Sequence, residues 1–318
     1  MVGTRRLDHG WLLFLTPVLW GATFPAAKLA LETLDTPAFM AWSRALGLAT
    51  AVAALPFLSG GRRQARLSPR TPRLGGLGGV RIERVAGPGM LLGCLLFAGY
   101  ALQTWGLEST TATNAGFITG LYVVFTPLLA LVLFRQPARG SVWLAVGLSV
   151  VGLALLSTQT LASFEPHPGD FLVLSSAVAW AGHVVAVGRF APRFPVHVLA
   201  IAQLGAATGL HVILALPGGL QARSAWSAAP LLITTGVLGT GIAYTLQLIA
   251  QRQLSPARAA IILSGESLAS ALLSVVWIGE RLVWHQWLGA GLIVGAMVLS
   301  ETTARRKDAA VVAVEPRA

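Results

Sequence analysis

Ten stretches of this chain stay apolar for about the 20 residues that a helix needs to cross a bilayer. They run roughly 10–31, 36–58, 86–107, 112–134, 141–158, 169–189, 195–217, 227–250, 255–277 and 284–301. Turn or charge signals part them. Asp35-Thr36-Pro37 opens the second, Arg135-Gln136-Pro137 follows the fourth, and Glu165-Pro166-His167-Pro168-Gly169 precedes the sixth. The apolar residues come in blocks and do not alternate, which points to helices and away from a β-barrel. Only 11% of the 318 residues are charged, against roughly 25% in an average soluble domain. The mean hydropathy is +0.71. A soluble enzyme, a collagen and a disordered chain are all excluded on these grounds. The expected fold is an all-α polytopic membrane protein with ten transmembrane helices. The first stretch is longer than a signal-peptide core of about 7–15 residues, so it is expected to remain as a span.

The formal net charge of +11 does not indicate nucleic acid, because the basic residues lie between the apolar blocks and not along one face. It indicates topology. With the N-terminus inside, nineteen of the 23 Lys and Arg fall on the cytoplasmic side, and only Arg223 and Arg281 fall outside. Lys28 and Arg44 lie within spans. The positive-inside rule then places both termini in the cytoplasm and requires an even number of spans. Seven of those arginines crowd into residues 59–85, a Gly-rich basic cytoplasmic loop suited to anionic lipid headgroups. Residues 304–318 are expected to form a disordered cytoplasmic tail. The lone cysteine, Cys94, allows neither an internal disulfide nor a thiolate cluster.

An internal repeat organises the rest. At an offset of 144, Tyr100-Ala-Leu-Gln103 matches Tyr244-Thr-Leu-Gln247, Ala115 matches Ala259, Ile118 matches Ile262, and Leu128-Leu129 match Leu272-Leu273. Trp143 and Gly147 match Trp287 and Gly291 at the same offset. Near an offset of 160, Trp20 aligns with Trp180 and Pro56 with Pro217. Each copy holds five of the ten spans, the first within residues 1–160 and the second within 165–303. Five is odd, so the second copy enters from the opposite face. Inverted repeats of this kind characterise secondary transporters, with the solute site near the midplane between the halves.

Polar groups inside spans are then the candidate site. An ionised group at the bilayer centre costs roughly 2.5–3.5 kcal/mol on insertion scales, so it should face a cavity or a partner. Glu266 lies mid-span and can bind a cationic solute group or exchange a proton; the alternative is a protonated carboxyl locking two helices together. Trp20, Thr23, Phe24 and Lys28 share one helix face, an aromatic and cationic surface suited to a solute carboxylate, unless Lys28 snorkels to the interface. Arg44 calls for a carboxylate or helix-end carbonyls, more as structural pairing than as solute contact, and no acidic residue sits near it on its own helix. Tyr100 with Gln103, and Tyr244 with Gln247, offer uncharged donors and acceptors at i, i+3, for a shared cavity or for polar packing. Asn114 and Tyr122 correspond at offset 144 to Arg258 and Glu266. Trp180 and His183 share a face, His183 either titrating in the cavity or simply packed. Gly116-x-x-x-Gly120 and Gly291-x-x-x-Gly295 are expected to pack helices closely, and Pro25 to break the first helix at a gate. No metal-spaced cluster, Gly-x-Ser-x-Gly or Walker loop is present, so neither an enzyme nor a cofactor is expected.

Trp20-Gly-Ala-Thr-Phe-Pro25 with Lys28, Tyr100-Ala-Leu-Gln103 followed by Ser109-Thr-Thr-Ala-Thr-Asn-Ala-Gly116, Ser264-Gly-Glu266-Ser, and Gly279-Glu280-Arg281 ahead of Trp287-Leu-Gly289 resemble the EamA-type branch of the drug/metabolite transporter superfamily. The resemblance covers nearly the whole chain. It departs at Arg135-Gln136, where many members carry a Gly-Glu like Gly279-Glu280, and at Glu266-Ser267 in place of the usual Glu-Pro. It implies ten helices around a central cavity, with the fifth and tenth at the periphery. Members mostly export amino acids, other small metabolites or drugs across the bacterial inner membrane. The expectation is a monomeric or homodimeric inner-membrane exporter of small metabolites, working by alternating access, with possible proton coupling and with solute and lipid bilayer as its partners. A lipophilic-drug or nucleobase exporter and a lipid-flipping protein are the alternatives.

Overall fold

The computed structural model describes residues 10–59, 82–110, 112–157, 167–278 and 281–314. Most of the basic loop, residues 60–81, lies outside them. The chain runs through a 3-10 turn (Gly10–Phe14), α1 (Leu15–Ala30), α2 (Thr36–Ala53), α3 (Leu55–Ser59), α4 (Ile82–Glu108), α5 (Ala112–Gly120), α6 (Tyr122–Phe134) and α7 (Gly140–Ser157). It continues through α8 (Pro168–Phe190), α9 (Val196–Ala215), α10 (Ala222–Ser227), α11 (Ala229–Leu232), a π-helical segment (Ile233–Ile242), α12 (Ala243–Ala250), α13 (Pro256–Leu263), α14 (Gly265–Ile278) and α15 (Trp284–Val314). No strand occurs among the described residues.

Among the described residues, seven helical stretches are long and apolar enough to cross a membrane: Gly10–Ala30, Glu83–Glu108, Ala115–Phe134, Gly140–Ser157, Pro168–Phe190, Val196–Ala215 and Ala229–Ala250. The second, ninth and tenth of the ten expected spans are not among these seven. Arg44, Trp42 and Ser43 lower the apolarity of α2. The ninth stretch is divided at Ser264 into α13 and α14. His285 and Gln286 open α15, which then continues as helix past residue 304 to Val314. The tail expected to be disordered is therefore helical over its first part, in keeping with its Ala, Lys and Arg content.

The packing between helices repeats when the two halves are exchanged. The contact of α4 with α8 and α9 has its counterpart in the contact of the π-helical segment with α1 and α2. The contact of α8 with α5 and α6 has its counterpart in that of α1 with α13 and α14. The pairs α2–α9 and α7–α15 map onto themselves and so lie on the exchange axis. This is the pattern of a pseudo-two-fold relation.

Two local expectations fail. Pro25 sits inside an unbroken α1, as spanning helices allow when neighbours take up the freed backbone group. The interruptions fall instead at Leu121, between α5 and α6, and at Ser264, between α13 and α14. The small-residue motifs expected to pack closely do so at only one position of four. Gly116, Gly291 and Gly295 have nothing within 4 Å of a built Cβ, whereas Gly120 abuts Leu153. The intimate crossing lies elsewhere on the same helices: a Cβ at Gly152 would stand 2.8 Å from the Gly289 carbonyl oxygen, and one at Gly289 2.6 Å from that of Gly152. Gly152→Leu should separate α7 from α15 and destabilise the protein by about 1–3 kcal/mol, the usual cost of overpacking. Gly147→Leu, on the same helix but facing open space, should leave thermal unfolding in detergent unchanged.

Candidate functional site

Between the halves lies a small cavity of about 40 Å³. Its wall draws on α1, α4, α5, α6, α8, α12, α13 and α14. Trp20, Thr23 and Phe24 come from α1, and Trp180, His183 and Val184 from α8. Tyr100 and Gln103 on α4 face Tyr244 and Gln247 on α12. Thr119 and Tyr122 on one interrupted helix face Leu263 and Glu266 on the other. All fourteen fall into seven pairs, the first three related by an offset of 160 and the other four by 144. The Trp, Tyr and Gln pairs are identical; Thr23/His183, Phe24/Val184, Thr119/Leu263 and Tyr122/Glu266 are not. The symmetry of the wall is in its positions, and its chemistry is made unequal by those four substitutions.

The aromatic contacts show the same exchange. Tyr100 meets Trp180 edge-on with ring centroids 4.7 Å apart, and Tyr244 meets Trp20 at 5.1 Å. The two tyrosine rings stand 6.3 Å from each other. Trp20 donates its indole N–H to the Gly239 carbonyl at 2.8 Å, while the Trp180 indole nitrogen is buried without a partner. Gln103 Nε2 donates to Thr119 Oγ1 at 2.9 Å. Gln247 Nε2 donates to Gln251 Oε1 at 2.8 Å, and Gln251 Nε2 to the Val184 carbonyl at 3.0 Å. His183 Nε2 lies 3.1 Å from Gln203 Oε1 and packs edge-on against Tyr244.

Tyr122 is the first residue after the interruption at Leu121, and Glu266 the second after that at Ser264. Both helices thus break beside the cavity at nearly the same place in the repeat, as in transporters whose sites are built from discontinuous helices. Ser267 Oγ ties the second break to α5 by donating to the Gly116 carbonyl at 3.1 Å. The Tyr122 phenol and the Glu266 carboxyl are close enough to interact, yet Tyr122 Oη and Glu266 Oε1 are both buried without a hydrogen-bond partner. Buried polar atoms of this kind are rare enough to call for an explanation.

Eleven of the thirteen residues singled out from sequence line this cavity. Lys28 does not: its Nζ donates to the Leu107 carbonyl at 3.0 Å, one of the last carbonyls of α4. Asn114 lies on α5, but its side chain is outside the described residues. Thr119, Val184 and Leu263 were missed. The repeat itself points to them, since Val184 is the counterpart of Phe24 and Thr119 stands one turn before Tyr122. Arg44 finds no carboxylate among the described residues. Its guanidinium carbon stacks 3.5 Å from the centroid of the Tyr100 ring.

The two ends of the molecule differ. At one end the halves are tied together. Gln221 Nε2 donates to Asp35 Oδ2 at 2.7 Å, Asp35 N donates to Gln221 Oε1 at 3.2 Å, Trp42 Nε1 donates to the Leu220 carbonyl at 2.6 Å, and Thr110 Oγ1 donates to Asp170 Oδ1 at 2.5 Å. At the other end a cleft is lined by Phe134 and Gln136 of the first half and by Arg189, Arg193 and Arg252 of the second, with the Arg189 guanidinium 5.7 Å from the centroid of the Phe134 ring. The Gln247–Gln251–Val184 bonds stand between this cleft and the cavity.

The chain is similar to several known proteins. An uncharacterized transporter of Archaeoglobus fulgidus is 28% identical over 93% of this chain and 87% of its own length. The uncharacterized inner membrane transporter YedA of Escherichia coli K12 is 26% identical over 90% of this chain and 88% of its own. The threonine/homoserine exporter RhtA of the same strain is 32% identical, over 58% of this chain and 62% of its own. A solved crystal structure shares the fold with a TM-score of 0.71 over 93% of this chain and 98% of its own, at 21% identity. The EamA-like transporter family matches twice, at residues 10–158 and 167–302. With a match in each half, together spanning nearly the whole chain, this multi-pass membrane protein belongs to the EamA-like transporter family.

Proposed function

We propose that the chain is a secondary active transporter that exports small metabolites, amino acids or related compounds, across the inner membrane by alternating access. The observation that carries this is the cavity wall, built from equivalent positions of two halves that meet around it. A solute held there is gripped by both halves, so a rocking of one against the other carries the site from one face to the other. RhtA, named for threonine and homoserine export, supports an amino acid as cargo. In this scheme ten spans form two inverted five-helix repeats, within residues 1–160 and 165–303, with both termini cytoplasmic and residues 304–318 as a cytoplasmic tail. The tied Asp35–Gln221 end is then periplasmic and the arginine-lined cleft cytoplasmic. A cysteine at Gln221 should react with a membrane-impermeant thiol reagent added to spheroplasts, and one at Arg139 only after the membrane is opened; the reverse pattern overturns the orientation.

The aromatic residues Trp20, Phe24, Trp180, Tyr100 and Tyr244 take the apolar part of the solute. Gln103, Gln247 and Asn114 orient its polar groups, His183 and Tyr122 bound the pocket, and Thr23 and Lys28 act from α1. Glu266 holds either a proton or a cationic solute group, and this competition couples export to proton entry. Trp20, Phe24, Trp180, Val184 and Leu263 also suit a lipophilic drug or nucleobase, the second proposal. Lipid flipping would need a lateral opening between helices. The test is loss of solutes from proteoliposomes loaded with amino acids, nucleobases and sugars under an inward proton gradient, read by mass spectrometry. Selective loss of amino acids supports the first proposal, loss of nucleobases the second, and retention of everything by folded protein overturns metabolite export.

A further inference from the structure

Arg44 belongs to none of the functions above, and its surroundings are unusual. It is 2% exposed, and its Nε and Nη1 are buried without hydrogen-bond partners. Among the described residues no carboxylate lies within ion-pair distance of it; the one pair found there joins Arg258 to Glu301. Its neighbours are the Tyr100 ring, His211 and Tyr244. Stacking on an aromatic face relieves a desolvated guanidinium in part, but it satisfies none of the orphaned N–H groups and supplies no counter-charge. Arg44 thus sits one ring behind the cavity wall, since Tyr100 and Tyr244 are both part of that wall. Glu266 lines the same cavity with an orphaned oxygen of its own, and Tyr244 lies within electrostatic reach of both Arg44 and Glu266.

Two groups of opposite sign, each incompletely satisfied, therefore flank the paired tyrosines at the centre of the pseudo-symmetric wall. We infer that Arg44 and Glu266 are the two poles of a site that selects zwitterions. The solute carboxylate is received by the Tyr100 and Tyr244 hydroxyls under the Arg44 charge, and its ammonium by Glu266. Arg44 acts through the tyrosines and is a specificity-determining residue that need not touch the solute. A solute carrying one charge alone leaves the opposite pole unmatched in a site of low dielectric, where an unpaired buried charge is most costly. The inference rests on the amino-acid proposal above and deepens it by naming the charge pattern of the cargo.

The test is efflux from proteoliposomes of three probes at pH 6: zwitterionic L-threonine, its isosteric cationic amide, and the anionic N-acetyl-L-threonine. Wild-type protein should release threonine about tenfold or more faster than either analogue, the discrimination expected when buried polar groups lose their partner. Arg44→Gln should slow threonine and bring it level with the amide, Arg44→Lys should restore part of the preference, and Glu266→Gln should bring threonine level with the N-acetyl probe. A structural role for Arg44 would change protein yield and thermal stability but leave these ratios alone. Wild-type release of either analogue at the threonine rate overturns the zwitterion inference and spares the transporter proposal, whether or not Arg44→Gln folds. A folded Arg44→Gln with unchanged ratios also overturns it. Failure to move any of the three probes overturns the amino-acid proposal and this inference together.

Discussion

Glu266→Gln should abolish the response of export to a proton gradient, and the slower solute exchange that remains should be the same at every pH. Glutamine has the size and polarity of the protonated acid, so it preserves the contacts of α14 with Tyr122 and α5, yet it can neither take up nor release a proton. Two further phenols and one imidazole stand near the carboxyl, on Tyr122, Tyr244 and, behind Tyr244, His183. Arg44 stacks on Tyr100 and lies within electrostatic reach of Tyr244. None of these is placed to take over the exchange, because Tyr122 and Tyr244 are phenols and His183 is committed to Gln203. The expected loss is about tenfold or more in gradient-driven rate, comparable to removing a positioned proton carrier in an enzyme. Tyr122→Phe, which removes only the facing hydroxyl, should cost less than about threefold, because that hydroxyl has no hydrogen-bond partner to lose. The readout is efflux from proteoliposomes at several internal and external pH values. Wild-type rates across that range in Glu266→Gln would mean that the carboxyl only locks helices together.

Much of this site is visible in the sequence because the chain writes it twice. Tyr100/Gln103 and Tyr244/Gln247 repeat with their spacing intact, and the structure sets all four around one cavity. Trp20 and Trp180 repeat at a second offset, and each packs on the tyrosine of the opposite half. The change of offset between the first and third spans reflects the different lengths of the intervening loops. Thr119, Val184 and Leu263 carry no chemical signature of their own, so only their repeat partners mark them.

What the sequence hides is hidden for physical reasons. Proline is the usual marker of a broken helix, yet α1 runs through Pro25, and the true interruptions fall at Leu121 and Ser264, where neither residue is a breaker. The nearby glycines, Gly120 and Gly265, relax the backbone there, but glycine is too frequent in this chain to single them out. Lys28 has a side chain long enough to leave its helix face, and it turns to the end of α4, whose position no local pattern encodes. Arg44 is sought as one member of an ion pair; its partner is a ring face, a type of contact that any aromatic residue can supply and that no local pattern marks. Close glycine packing depends on which face of the helix meets a neighbour, so the crossing at Gly152 and Gly289 cannot be told from the open space around Gly291 and Gly295 by spacing alone.

Tethering the two halves at their tied end should stop transport reversibly. Asp35 and Gln221 exchange two hydrogen bonds across the interface between the halves, and a rocking movement must break them each time that end opens. With Cys94, which is exposed, replaced by Ser, cysteines at 35 and 221 can be joined by a short, reducible thiol cross-linker. Asp35 also caps α2 by accepting from Ala38 N at 2.8 Å, so its loss costs about 0.5–2 kcal/mol of helix stability. That cost is the same before and after cross-linking, and reduction of the tether isolates the effect of the link itself. Solute exchange should fall about tenfold or more on cross-linking, as expected when a required domain movement is blocked, and should return on reduction. A fixed channel through the cavity would conduct equally well with that end tethered on one side of the passage, and undiminished exchange in the cross-linked protein would rule out rocking about this interface. The cleft at the opposite end gives the same test a direction. Solute trapped by the tether should remain displaceable from the side of Arg189 and Arg252, because the Gln247–Gln251 bonds are what stands between that cleft and the cavity.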